Sequence, residues 1–140
     1  MSRKIEVTVD VIVHSTEDVP RIIQSLADVL RLEPDGLAIN YTTGYFDNPI
    51  TMLGCRLARR QAAEFVKRLT GLIPGEQLDS LVSQIPERTA DSRFHMRLDK
   101  QELVRGAVLV SDSGAVKIGI QTPVYRKNDT VRIFSEILGA

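Results

Sequence analysis

Phe94-His95-Met96-Arg97-Leu98-Asp99-Lys100-Gln101 opens with alternating apolar and polar residues. Successive side chains of an extended chain point to opposite faces, so Phe94, Met96 and Leu98 share one face. Arg93, His95, Arg97 and Asp99 fall on the other, with Lys100 at the end. An apolar row backed by a mostly cationic row predicts a sheet that buries one side and offers its open side to an anion. A half-buried antiparallel strand with solvated charges has the same pattern. The neighbouring segments therefore have to decide between the two.

Charge is the first of these. Eighteen basic and eighteen acidic residues cancel, so no global field draws the chain to nucleic acid or membrane. The cations are nevertheless segregated: residues 56–68 carry five basic groups against one acidic, and residues 93–132 carry eight against four. Residues 1–55 carry four basic groups against eight acidic. A hydrophobic content of 43% places the 140 residues among ordinary globular proteins, with one domain over 1–140 expected. The single Cys55 excludes an internal disulfide and fits a reducing cytoplasm. No apolar run approaches the ~18 residues of a membrane span, and Met1-Ser2-Arg3-Lys4 leads to Glu6 and Asp10 rather than to a signal-peptide core.

Residues 4–14 predict a strand, with Ile5, Val7, Val9, Val11 and Val13 alternating against Glu6, Thr8, Asp10, Ile12 and His14. Ser15-Thr16-Glu17-Asp18 reads as a helix start, and Val19, Ile22, Ile23, Leu26, Val29 and Leu30 as its apolar stripe. Glu33-Pro34-Asp35-Gly36 ends it. A hairpin over 37–57 turns at Phe46-Asp47-Asn48-Pro49. A second helix carries Ala62, Phe65, Val66 and Leu69, and a shorter one runs from Glu76 to Ile85. Pro86 to Ser92 reads as a polar loop, Asp99 to Val104 as a helical turn, and 106–110 with 115–122 as a hairpin. Asn128 is the expected cap of a last helix. The resulting order is β-α-β-β-α-α-β-β-β-α, an α+β fold with a largely antiparallel sheet and helices packed on one face.

Catalytic and metal-binding patterns are absent from this reading. Gly71-Leu72-Ile73-Pro74-Gly75 lacks the Lys-Ser/Thr of a phosphate loop, and one Cys with two distant His cannot make a structural zinc set. No cofactor, metal or catalytic residue is expected. His14 and His95 would have to meet for metal-free RNA cleavage. Tyr41 and Tyr45 would share a strand face, but the chain is poor in the aromatic residues that stack unpaired bases. The basic residues carry more: Arg56, Arg93, Arg97 and Lys117 come from three expected strands, each alternating with core residues, and Arg59 and Arg60 stand at a helix start. Arg in this role suits bidentate phosphate contacts. His95, Lys100, Arg126 and Lys127 complete the candidate RNA-binding set.

Three blocks add a resemblance: Val13-His14-Ser15-Thr16-Glu17-Asp18, Gly44-Tyr45-Phe46-Asp47-Asn48-Pro49-Ile50, and Phe94 to Gln101. They resemble the ordered blocks of a small archaeal family described as RNA-binding and as a predicted exosome subunit. Asp47 departs from it, standing where a small residue such as Gly is expected. The resemblance implies a fold similar to the large-subunit ribosomal protein that holds the small ribosomal RNA. It also implies a non-enzymatic role in RNA processing, decay or ribosome-related assembly, with RNA and possible exosome proteins as partners. A protein–protein adaptor is the rival, served by the neutral net charge and an exposed sheet edge at 115–122; among partners, a homodimer through a sheet edge is also expected. A metal-independent ribonuclease is the third.

Overall fold

A computed structural model describes residues 4–139; Met1-Ser2-Arg3, at the basic start of the chain, and Ala140 lie outside the described residues. Six strands form one sheet: β1 Glu6–His14, β2 Ala38–Thr43, β3 Pro49–Ala58, β4 Thr89–Ala90, β5 Arg93–Leu98 and β6 Val116–Gln121. Their spatial order is β2-β3-β1-β6-β5-β4, and every neighbouring pair is antiparallel. The helices α1 Val19–Leu30, α2 Arg59–Leu72, α3 Gly75–Ser83, α4 Ile85–Arg88, α5 Lys100–Val104 and α6 Thr130–Ile137 cover one face. The α+β architecture is the one expected.

The core lies between sheet and helices. Val7, Val9, Val11 and Val13 of β1, Phe94, Met96 and Leu98 of β5, and Val116, Ile118 and Ile120 of β6 are all buried. Ile22, Leu26 and Leu30 of α1 and Ala62, Phe65, Val66 and Leu69 of α2 close over them. Phe134 of α6 stacks on Phe94 at 6.0 Å between ring centres. The alternation read from β1 and β5 is thus the alternation of burial.

Several boundaries differ from the expectation, each for a local reason. The first helix is capped by Asp18, whose side chain accepts from the Arg21 N–H at 3.2 Å; it ends at Leu30, with Arg31 in the left-handed region at φ 59°. Pro34–Gly36 makes a separate 3₁₀ turn. The polar loop over 86–92 instead holds α4 and the two residues of β4. Asp91 and Ser92, at φ 52° and 65°, then make the tight turn into β5. Lys127–Asp129 forms a 3₁₀ turn, and Asp129 rather than Asn128 precedes the last helix.

Two corrections change the topology. Residues 106–110 form no strand beside 115–122: the Asp99 N–H donates to the Leu109 carbonyl and the Ser111 N–H to the Arg97 carbonyl. The Gln77 side chain meanwhile satisfies both polar groups of the Val110 backbone, at 2.8 and 3.1 Å. The segment therefore closes against the end of β5. The 115–122 stretch is not an exposed edge either, because β6 is paired on both sides, to β1 and to β5. The edges are β2 and β4.

Candidate nucleic-acid interface

The cationic row falls on the sheet face opposite the helices. On β5, Arg93, His95 and Arg97 alternate with buried Phe94, Met96 and Leu98; on β6, Lys117 stands between buried Val116 and Ile118. Register sets Arg97 opposite Lys117, His95 opposite Gly119 and Arg93 opposite Gln121. Across β1, Asp10 faces Lys117 and Thr8 faces Gly119, while Arg56 of β3 faces Thr8 from the other side. Arg56 and His95 therefore end one cross-sheet row, three strand spacings or about 14 Å apart.

Directly opposed side chains have Cβ atoms about 4.5–5.5 Å apart, and like charges placed so repel. Arg97 and Lys117 are such a pair. Among the described residues neither forms an ion pair, and Asp10 beside Lys117 forms none. Gly119 keeps the floor low between them: a Cβ there would lie 2.9 Å from Thr8 Oγ1 and 3.2 Å from Arg93 Cδ. The Arg93 stem crosses that gap, and its guanidinium donates to Gln121 Oε1 at 3.0 Å. What results is a hollow of about 270 Å³ walled by Thr8, Asp10, Arg93, His95, Arg97 and Lys117. A second depression, about 290 Å³, opens on the other side of His95 and Arg97, beside Arg88 and Asp112. Arg88 is compensated there, donating to Asp112 at 2.8 Å. His95 and Arg97 form the ridge between the two.

Burial, and then the nearby Arg93 charge, hold the His95 imidazole below its ordinary 6.5. It is thus the neutral ring at neutral pH, with one nitrogen to donate and one to accept. None of the strand residues on this face is Phe, Tyr or Trp. Tyr41 points the other way, with Ile39 and the core residue Leu53. The face can therefore neutralise and hydrogen-bond anions, and the His95 imidazole is its one ring among the strand residues, in place of the Phe and Tyr platforms that stack successive bases.

Not every candidate reaches this face. Arg56, Arg93, His95, Arg97 and Lys117 do. Arg59 and Arg60 sit at the end of the sheet where β1 begins, the Arg59 N–H donating to the Ile5 carbonyl at 3.0 Å. Arg60 is paired with Glu64 at 3.1 Å on the solvated side of α2. Arg126 and Lys127 are exposed in the link between β6 and α6. Lys100 is buried: its ammonium donates to the Ile12 carbonyl and to Glu17 Oε1, both at 2.6 Å, and it does not line the face. His14 lies six residues along β1 from the His95 row, about 20 Å along the sheet and two strands across. The two imidazoles cannot act on one bond. Sequence reasoning missed Thr8, Asp10, Gly119 and Gln121; the alternation of β1 and β6 assigned them to the open face, but only strand order places them beside the cations.

A further cavity, about 490 Å³, is on the helix side, among Leu30, Leu32, Leu57 and Phe65, with Cys55 in its wall. Burial and then Asp10 push the Cys55 thiol up, which favours the protonated thiol over the thiolate, half-buried against the core. Among the described residues no three His, Cys, Asp or Glu side chains gather as a metal site, and no helix is long and apolar enough to cross a membrane.

Comparison with known proteins bears on the same region. A family model described as RNA binding matches residues 6–123, from the first residue of β1 to just past β6, and so spans the whole sheet. The chain is 26% identical to an uncharacterized protein of Methanocaldococcus jannaschii over 139 residues, covering 91% of this chain and 93% of that protein. It is also similar to the solved structure of a DUF54 protein from Methanothermobacter thermautotrophicus: 28% identity, TM-score 0.76, 98% of this chain and 99% of that one. An Archaeglobus fulgidus protein of the same family shares the fold at TM-score 0.80 and 24% identity, over 94% of this chain and 97% of that one.

Proposed function

Because the chain belongs to the RNA-binding family, we propose that its open sheet face binds RNA, chiefly through phosphates. The observation that carries this reading is the juxtaposition of Arg97 and Lys117 on neighbouring strands, neither of them in an ion pair among the described residues. Repulsion between them is relieved when an anion lies across both. Arg93, His95 and Arg56 widen the patch. Arg59, Arg60, Arg126 and Lys127 flank it as outer phosphate contacts. The lack of Phe, Tyr and Trp among the strand residues of the face favours recognition of backbone and shape over a run of stacked bases.

The protein acts here as a binder and not as a nuclease, since His14 and His95, the pair that metal-free cleavage would need, are far apart. Its setting, on the resemblance of the three sequence blocks, is RNA processing or decay in the cytoplasm alongside exosome proteins, or ribosome-related assembly.

The test is a salt titration with RNAs of unrelated sequence. Log K should fall with log salt at a slope near −0.7 per phosphate contact for single strands and about −0.9 for duplex. Arg97→Ala should weaken all of these RNAs by similar factors and reduce the slope by about one contact. Lys67→Ala, exposed on α2 on the helix side, should change neither. Salt-independent binding, equal losses from both variants, or RNA cleaved in the same samples would each defeat the assignment.

A further inference from the structure

Five of the large apolar residues exposed on this chain belong to one hairpin: Ile39, Tyr41, Tyr45, Phe46 and Met52. Tyr41 is 80% exposed, Tyr45 94% and Phe46 84%, and the last two pack only edge to face on each other, 4.9 Å apart. The outer strand of that hairpin, β2, is the long edge of the sheet, and all six of its residues are exposed. Edge strands are ordinarily blunted by charge, Pro, a bulge or shortness. The opposite edge, β4, is blunted by having two residues. Ala38-Ile39-Asn40-Tyr41-Thr42-Thr43 has none of these devices, and no charged residue occurs between Asp35 and Asp47.

The direction of its free backbone groups follows from the turn. The Gly44 N–H donates to the Asn48 carbonyl at 2.7 Å, so that pair is hydrogen-bonded. Antiparallel pairs alternate, and Thr42–Ile50, Asn40–Met52 and Ala38–Gly54 are then the bonded pairs. Ile39, Tyr41 and Thr43 therefore turn N–H and C=O outward; Pro49, opposite Thr43, has no N–H to offer in any case.

We propose that β2 pairs antiparallel with β2 of a second copy of this chain. The edge is self-complementary: a twofold axis at Asn40 sets Ile39 against Tyr41 of the other copy, twice, with outward N–H meeting outward C=O. A β-branched residue beside an aromatic one is a favourable cross-strand pair, and no like charges meet along the strand. Ile39, Tyr41, Tyr45 and Phe46 expose on the order of 600 Å² per copy, taking 150–250 Å² for each aromatic. With the strand backbone this approaches the ~800 Å² per partner of a stable interface. The product is a continuous sheet with both cationic faces on the same side, their β6 strands about 34 Å apart at ~4.8 Å per strand. This dimer does not depend on the RNA reading.

Sedimentation of the full chain across a concentration series, with amide hydrogen exchange, tests it. The wild type should be a dimer in which the Ile39, Tyr41 and Thr43 amides are slowed more than 10-fold relative to the dilute monomer. Tyr41→Pro removes an N–H that the monomer does not use and should leave a folded monomer. Ile39→Lys, at a position 44% exposed, should do the same by placing like charges near the axis. A wild type that stays monomeric, a dimer surviving in both variants, or protection of these amides only when RNA is added would overturn the proposal.

Discussion

At the scale of single residues, the most informative side chain is Glu17. Its carboxylate accepts from the His14 N–H at 2.9 Å, from Lys100 at 2.6 Å and from Gln101 at 2.9 Å. Two of the blocks quoted from the sequence, separated by some eighty residues, are thus one bonded unit that ties the end of β1 to the start of α5. Lys100 looked like a member of the cationic row and is instead consumed inside the fold. Lys100 is buried and Glu17 half-buried, so removing the ammonium leaves a partly desolvated carboxylate with only His14 and Gln101 as donors. Lys100→Met is therefore expected to cost about 1–3 kcal/mol in urea unfolding while leaving the RNA affinity of the folded protein unchanged. A loss of affinity with unchanged stability would return Lys100 to the binding surface. The solvated Arg60–Glu64 pair, with side chains 91% and 66% exposed, is not a comparable anchor.

At the scale of elements, β5 is the strand on which core and interface depend together. Its register with β6 places Met96 opposite Ile118 in the core and Arg97 opposite Lys117 on the face. A slip of one residue would exchange the two rows. Met96 is 2% exposed, and Met96→Ala should cost about 2–5 kcal/mol, measured by thermal or urea unfolding. A cost below 1 kcal/mol would mean that the strand is not held by its apolar row. The β2–β3 hairpin is built differently, from turn chemistry. A Cβ on Gly44 would lie 2.5 Å from Asn48 Oδ1, and Asp47 occupies the left-handed region at φ 60°. That is the place where a glycine was expected, and Asp tolerates it through its short polar side chain.

For the whole molecule, the shifted groups give stability a definite dependence on pH. Burial raises the Glu17 carboxyl, but hydrogen bonds from Lys100 and His14 outweigh it, and the net position is below the ordinary 4.5. Its contribution is complete above 4.5 and lost as pH falls through the lower folded value. His95 is held below 6.5 in the folded protein, chiefly by burial, so the unfolded chain takes up the proton first. Stability on its account is greatest above 6.5 and declines as pH falls toward the folded value. The two have the same sign, and urea midpoints should fall with acidification in two windows. His95→Gln should remove the upper one and Glu17→Gln the lower. An unchanged profile in both variants would contradict the surroundings described for these groups.

Local periodicity alone carried the strands at 4–14 and 93–98, the stripes of the first two helices, the antiparallel α+β class and the face on which each cation of β3, β5 and β6 lies. These are properties of neighbouring residues, because alternation and helical repeat are set by the backbone that joins them. What a residue meets across the fold is not written that way. Strand order decided that 115–122 is a central strand and that the free edge is Ala38–Thr43. It also set Thr8, Asp10 and Gly119 beside the cations. Gln77, some thirty residues away in sequence, took the Val110 backbone groups that a hairpin would have used. Glu17 took Lys100. In each case a partner distant in sequence satisfied a polar group or a strand edge, and a choice among distant partners is made only when the chain has closed on itself.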